Sequence, residues 1–293
     1  MAEPVFPEKR AVRRSFERAA ATYDRHGILQ REIGDRLLKH LEPMKVSAER
    51  VIDLGCGTGA SFGELQRLLP GAHHVGVDIA HPMLLQAASR TPGWKRLLGR
   101  PRPQLVCGDA ERLPLAGGSA QMVFSNLALQ WTNPRTVFAE VARVLEPAGL
   151  FLFSTFGPDT LRELRAAFAA VDGAPHVSTF IDMHDLGDAL VHAGLVEPVM
   201  EMEMVTLEYD TVKDIARDLQ GIGARNAMPG RPRGLSGKGR WNQVVAGYEK
   251  HRRADGVLPA SYEVIYGHAW RAVPKKVGDG RQVIDFHPRT FPG

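Results

Sequence analysis

Apolar residues along this chain change period several times, and each change marks an element. From residue 11 to 42 they recur at helical spacing: Val12, Phe16, Ala19, Ala20 and Tyr23, then Ile28, Ile33, Leu37, Leu38 and Leu41. Gly27 predicts a break into two helices. Continuous apolar runs, the mark of strands buried on both faces, occur at Val51–Leu54, His74–Val77, Gln104–Cys107, Gln121–Asn126 and Leu150–Thr155. Between them lie helical patterns at Ser61–Leu69, Met83–Arg90 and Pro134–Leu145, closed by Pro70-Gly71 and by Glu146–Gly149. A further helix is predicted over Asp185–Ala193, and strands over Pro198–Leu207 and Ser261–Arg271. Strands alternating with helices require a mostly parallel, doubly wound α/β sheet with right-handed crossovers.

Three stretches interrupt that alternation. The N-terminal helices, Phe156–Phe180 and Asp210–Leu258 read as mainly helical pieces that cap the carboxyl ends of the strands, where open α/β sheets bind ligands. The organisation predicted is cap helices over 1–45, a Rossmann-like core over 46–155 and a cap insertion over 156–181. A core helix and strand (182–209), a basic helical cap (210–258), the last core strand (259–276) and a flexible tail (277–293) follow.

Composition adds little: 293 residues, 44% hydrophobic and 24% charged, describe an ordinary globular chain large enough for a full core. No apolar run approaches a membrane span and the charged N-terminus lacks a signal-peptide core, so the expectation is a cytoplasmic protein with no membrane partner. Cys56 and Cys107 give neither a disulfide framework nor metal-ligand spacing, and no metal is expected; both read as small buried residues. The net charge of +4 conceals uneven placement. Arg225, Arg231, Arg233, Lys238, Arg240, Lys250, Arg252 and Arg253 face Glu249 alone in one stretch, and Lys95, Arg96, Arg100 and Arg102 form a second cluster. Such patches suit an anionic partner or merely a solvated face.

The candidate chemistry begins at Val51–Gly59 (VIDLGCGTG), a buried strand running into a glycine loop, with Asp78 ending the next strand. Gly55, Gly57 and Gly59 permit a tight turn and close approach of a ligand to the backbone. The loop is GxGxG led by Asp53 rather than the dinucleotide GxGxxG, and it resembles the S-adenosylmethionine loop of class I methyltransferases. Backbone N–H groups there suit the cofactor's carboxylate, Asp53 its amino group, and Asp78 both ribose hydroxyls, since a carboxylate offers only acceptors. Asp109 and Ala110, ending the third strand, suit the adenine edge. Asn126, ending the fourth, is read beside the reacting sulfonium.

Longer strings carry a closer resemblance. Ser15–Asp24 (SFERAAATYD), Ser125–Trp131 (SNLALQW), Phe153–Leu161 (FSTFGPDTL), Leu219–Ala224 (LQGIGA) and Leu258–Val264 (LPASYEV) are similar to the malonyl-acyl carrier protein O-methyltransferases of biotin synthesis. The resemblance implies a seven-stranded Rossmann-like methyltransferase sheet with a helical cap. It implies methyl esterification of the free carboxylate of malonyl-phosphopantetheine on an acidic acyl carrier protein. The same cap strings also resemble a mitochondrial complex I assembly factor linked to arginine hydroxylation. Open alternatives are therefore a methyltransferase for a free small acid or a quinone, or a non-methylating assembly factor of the same fold.

A carboxylate is ionised at neutral pH, so its methylation needs alignment and exclusion of water more than a base. Tyr23, Gln130 and Trp131 are the catalytic candidates, Tyr23 leading; its other reading is a buried aromatic that packs the N-terminal helix. His176, Arg225, Lys238, Arg240, Arg252 and His268 are candidates for substrate and carrier binding. The basic stretch lacks interleaved aromatic residues, which argues against nucleic acid.

Overall fold

The computed structural model describes residues 6–44, 46–90, 102–231, 237–276 and 282–283. Most of the basic loop 91–103, with Lys95, Arg96 and Arg100, lies outside the described residues, as do Arg233 and almost all of the tail.

Three helices open the chain, α1 (Lys9–Ala19), α2 (Tyr23–His26) and α3 (Ile28–Lys39). Two were expected. The additional break falls at Ala20–Thr22, where the Thr22 hydroxyl bonds the carbonyl of Gly221 and the chain turns beneath the cap. The core follows as β1 (Arg50–Leu54), α4 (Phe62–Leu68), β2 (His73–Asp78), α5 (His81–Arg90), β3 (Gln104–Cys107), β4 (Ala120–Asn126), α6 (Pro134–Val144) and β5 (Leu145–Phe156). Asn133 caps α6 by accepting from the Arg135 N–H, with Pro134 supplying a preset φ at the first position. Strand β5 starts at Leu145, five residues before the apolar run, because Leu145 pairs with Ala120 across an irregular register.

Then come α7 (Arg162–Ala169), α8 (Met183–His192), β6 (Leu195–Tyr209), α9 (Val212–Gly221), α10 (Lys238–Glu249), β7 (Leu258–Arg271) and the short pair β8 (Lys275–Lys276) and β9 (Gln282–Val283). The stretch after β5 is less helical than expected, since 170–182 is irregular once α7 ends. Among the described residues no helix is long and apolar enough to cross a membrane.

The main sheet has the order β3-β2-β1-β4-β5-β7-β6, with β7 alone antiparallel to both neighbours. Alternation along each strand feeds two cores. Ile52, Val123, Phe151 and Phe153 pack against α6 and α8, whereas Val51, Met122, Leu150 and Leu152 pack against α3 and α4. Burial on both faces explains the unbroken apolar runs. Strand order reverses between β1 and β4, and a ligand crevice opens outside the carboxyl ends at that reversal. Because β7 runs against β5, its first residues lie at the carboxyl end of β5, with Val264 opposite Phe156. The segment carrying α9 and α10 therefore leaves the sheet at the ligand edge. There Val212, Ile215, Val244 and Tyr248 form a small core of their own with Ala167 of α7.

Candidate functional site

Three open-mouthed chambers meet over the carboxyl ends of β1 and β4. The first, about 810 Å³ with its mouth, is lined by Val12, Phe16, Gly55, Gly57, Asp78, Met83, Asp109, Ala110, Asn126 and Trp131, among others. A second polar chamber of about 720 Å³ holds Asp53, Thr58, Arg31, Arg90 and Asn126. A third, also about 720 Å³, lies under the cap between Phe156, Leu164, Phe180, Leu219 and Tyr262, with Gln130, His176 and Arg225. Tyr23 lines all three chambers.

The glycines of the loop have separate tasks. Gly55 adopts φ +76°, and a Cβ there would stand 2.3 Å from the Cβ of Ala128. Gly57, at φ +52°, donates its N–H to Asp78 at 2.9 Å. Gly59 was expected to touch the cofactor but lines none of these chambers. Its Cβ would collide with Phe62 and Ala87, so it serves close packing of the loop on α4 and α5.

Two acids stand at the strand ends. Asp78 accepts the N–H groups of Gly57 and Ala80 at 2.9 and 2.8 Å. Burial nevertheless pushes its carboxyl up to about 6 against those two bonds. Burial, with Asp78 adding repulsion, pushes Asp53 up to about 8. This pair is poised for neutralisation by a ligand that brings a cation and hydroxyl donors. The chambers fit a nucleoside-linked amino acid: an apolar end with Asp78, Asp109 and Ala110 for ring and diol, and a polar end with Asp53 and two arginines for amino and carboxylate groups. Asp109 is partly engaged, because Lys9 of α1 reaches it at 2.5 Å and Glu111 at 2.8 Å, drawing α1 across the opening.

Asn126 lies where the first two chambers adjoin, but its amide is bound within the protein. Nδ2 donates to the Gln30 carbonyl at 2.8 Å and Oδ1 accepts from the Ser154 hydroxyl at 2.7 Å. It ties α3 to the sheet at the crevice. The next residue, Leu127, sits at φ +49°, held by its N–H bond to Ser154, and lines the first and third chambers. Leu161, at φ +55°, lines the third. Left-handed backbone at a residue other than glycine stores strain and concentrates at ligand sites.

In the third chamber Gln130 donates to the Leu127 carbonyl at 2.7 Å, which fixes its side chain. Trp131 walls the first and third chambers, its ring edge-on to Phe16 at 5.3 Å. Burial and the nearby Asp78 raise the Tyr23 hydroxyl far above its ordinary value, so it remains a donor. His176 stacks on Phe168 at 4.1 Å and bonds Asp172 at 2.8 Å; burial pulls it toward the neutral form.

The cap cations divide. Arg225 is exposed and lines the third chamber, and Lys238 is exposed at the start of α10. Arg240 is ion-paired with Asp172. Arg252 pairs with Glu249 and donates to the carbonyls of Asp210 and Gly256. Both join parts of the cap, and neither lines the three chambers. Arg231 pairs with Glu8, and Arg253 with Glu208 and Asp255. His268 lies mid-strand in β7 beside His40 and lines none of these chambers, because the antiparallel run carries it away from the ligand edge. Cys107 is exposed, not buried, whereas Cys56 is buried. Among the described residues there is no cluster of three or more metal-ligating side chains.

Gln30, Arg31 and Lys9 were not singled out in the sequence. Each stands among other polar residues of an amphipathic helix, with nothing local to separate it from a solvated face.

Residues 52–153 match the methyltransferase domain family. The chain is 51% identical over 296 residues to a malonyl-[acyl-carrier protein] O-methyltransferase of Laribacter hongkongensis, covering 99% of each chain. It is 49% identical to one from Gallionella capsiferriformans over 279 residues, covering 94% of this chain and 96% of the other. Among solved structures, the YcgJ protein of Bacillus subtilis shares the fold with a TM-score of 0.58 at 18% identity, over 82% of this chain and 99% of that one. The chain belongs to the malonyl-[acyl-carrier protein] O-methyltransferase family.

Proposed function

We propose that this protein is an S-adenosylmethionine-dependent O-methyltransferase that esterifies the free carboxylate of malonyl-acyl carrier protein. The observation that carries the reading is the meeting at Tyr23 of a largely apolar chamber edged by Asp78 and Asp109, a polar chamber around Asp53, and an apolar cap chamber. Family membership supports the acceptor, a malonyl thioester at the end of a phosphopantetheine arm. In this reading the enzyme works in the cytoplasm and takes neither nucleic acid nor membrane as partner.

Asp78 and the Asp109–Ala110 turn would hold the nucleoside, and Asp53 with the loop N–H groups the amino acid end. When bound, S-adenosylmethionine supplies an activated methyl group that the acceptor carboxylate takes up directly, leaving a methyl ester and a neutral thioether with no proton to move. The protein's own part is alignment and dryness. Trp131, Phe16 and Leu127 separate the junction from water, and the Tyr23 hydroxyl donates to the carboxylate and turns one oxygen toward the methyl. Arg225, exposed at the cap chamber, is the first cation an acidic carrier's phosphate arm would meet, and Lys238 extends that charge along α10.

The test is transfer of labelled methyl from S-adenosylmethionine to malonyl-acyl carrier protein, malonyl-coenzyme A and free malonate in parallel. Base-labile label chiefly on the carrier is expected. Label on free malonate as readily as on the carrier would overturn the carrier assignment, and label on none would overturn the acceptor.

A further inference from the structure

Gln30 stands in the first turn of α3, where it lines both the polar cofactor chamber and the cap chamber. Its backbone carbonyl accepts from Asn126, which fixes the residue against the end of β4. Its side-chain Oε1 is buried and has no hydrogen-bond partner among the described residues. Buried polar atoms are nearly always matched, and an unmatched one on a residue that lines two chambers marks that side chain as one a ligand would satisfy. Tyr23 lines the same two chambers and keeps its proton.

The chemistry of the junction is restrictive. A carboxylate only accepts hydrogen bonds, so its holder must donate. Among the described residues lining the cap chamber, Arg225 is the sole Lys or Arg and it is exposed; His176 is drawn toward neutrality. The donors left near Tyr23 are uncharged. A glutamine amide offers two N–H donors after a half-turn that leaves its shape unchanged.

We propose that Gln30 is a positioning residue for the acceptor, its amide N–H group donating to one oxygen of the carboxylate while Tyr23 holds the same group from the facing wall. This rests on the malonyl-carrier reading of the cap chamber. Two neutral donors orient the carboxylate without pairing off its charge, so the free oxygen stays nucleophilic. Once the ester forms, charge-assisted bonds become weaker neutral ones and the product is released more readily.

The full-length protein and its Gln30→Ala, Gln30→Asn and Gln30→Glu variants test this through two readouts. Calorimetry gives the Kd for S-adenosylhomocysteine, and for malonyl-acyl carrier protein added to that complex. Steady-state methyl transfer gives KM and kcat. Gln30→Ala is expected to weaken carrier binding and raise KM about 10- to 100-fold, with the S-adenosylhomocysteine Kd within about twofold of wild type. Gln30→Glu should bind carrier more weakly than Gln30→Ala, because an introduced carboxylate offers no donor and repels the acceptor's. Gln30→Asn should recover part of the loss. Unchanged carrier binding in Gln30→Ala would overturn the assignment, and so would a loss shared equally by both ligands. If the wild type methylates malonyl carrier and Gln30→Ala matches it, only the Gln30 assignment falls. If the wild type transfers nothing to malonyl carrier, the reading of the chamber fails and takes this assignment with it.

Discussion

The cofactor side and the acceptor side of the crevice are built in opposite ways. On the cofactor side, Asp53, Gly55, Gly57, Asp78, Asp109 and Ala110 all sit at the ends of β1, β2 and β3, and their spacing is set by strand geometry. The acceptor side draws Tyr23 and Gln30 from the N-terminal helices, Leu127–Trp131 from the loop after β4, Phe156–Phe180 from beyond β5, and Leu219–Asn226 from the cap. The electrostatics differ too. Burial holds two carboxyls, Asp53 and Asp78, above their ordinary range on one side, whereas neutral donors and aromatic walls dominate the other. On the proposed reading a cation-bearing ligand displaces protons that burial holds on the two acids, whereas an anionic acceptor is oriented by neutral donors.

Substitutions on the cofactor side should act first on cofactor affinity and fold, and those on the acceptor side on turnover. The largest effect is expected from Gly55→Ala, whose Cβ meets Ala128 at φ +76°. It should cost about 2–4 kcal/mol of stability and abolish cofactor binding, read by denaturant midpoint and calorimetry. Asp78→Ala should weaken cofactor at least about 100-fold, since two charge-assisted bonds go and two backbone N–H groups lose their acceptor. A wild-type Kd in that variant would remove Asp78 from the site.

Protonation sharpens the contrast. With Asp53 at about 8 and Asp78 at about 6 in the free protein, a cationic ligand must displace protons. Cofactor affinity should rise with pH through the interval from 6 to 8 and level off above it, with proton release measurable in buffers of different ionisation enthalpy. Asp53→Asn should flatten the upper part of that rise. The sign for folding is opposite. Carboxyls raised above their unfolded values leave the ligand-free fold less stable as pH climbs from the ordinary carboxylate range to about 8.

On the acceptor side, Tyr23→Phe should lower kcat/KM about 10-fold or more while the cofactor Kd stays within about twofold. Equal loss in both would make Tyr23 a cofactor residue. The smallest effects should come from the cap cations. Arg225→Ala should raise KM for carrier a few-fold at low salt and hardly at all at high salt, about as one screened surface charge would. Arg240→Ala removes one of the partners of Asp172, leaving His176, and should lower the melting temperature slightly, with no comparable salt dependence of carrier binding.

The sequence by itself determined the parallel core, the glycine loop and the acids that follow each strand. These depend on near neighbours, on side chains alternating between two apolar faces and on a backbone turn that only glycine tolerates. Strand β3 was legible to the residue, while β6 runs longer at both ends and β7 at its start because each is paired with the other along nearly its whole length. Only the tertiary structure decided which cap residues face the crevice. Arg225, Arg240 and Arg252 look alike along the chain, yet Asp172, Glu249 and two backbone carbonyls take the latter two. Likewise Gln30 gains its significance only where α3 crosses the end of β4. A long-range ion pair or an orphaned amide arises from chain segments brought together by folding, and no local pattern of polar and apolar residues records that meeting.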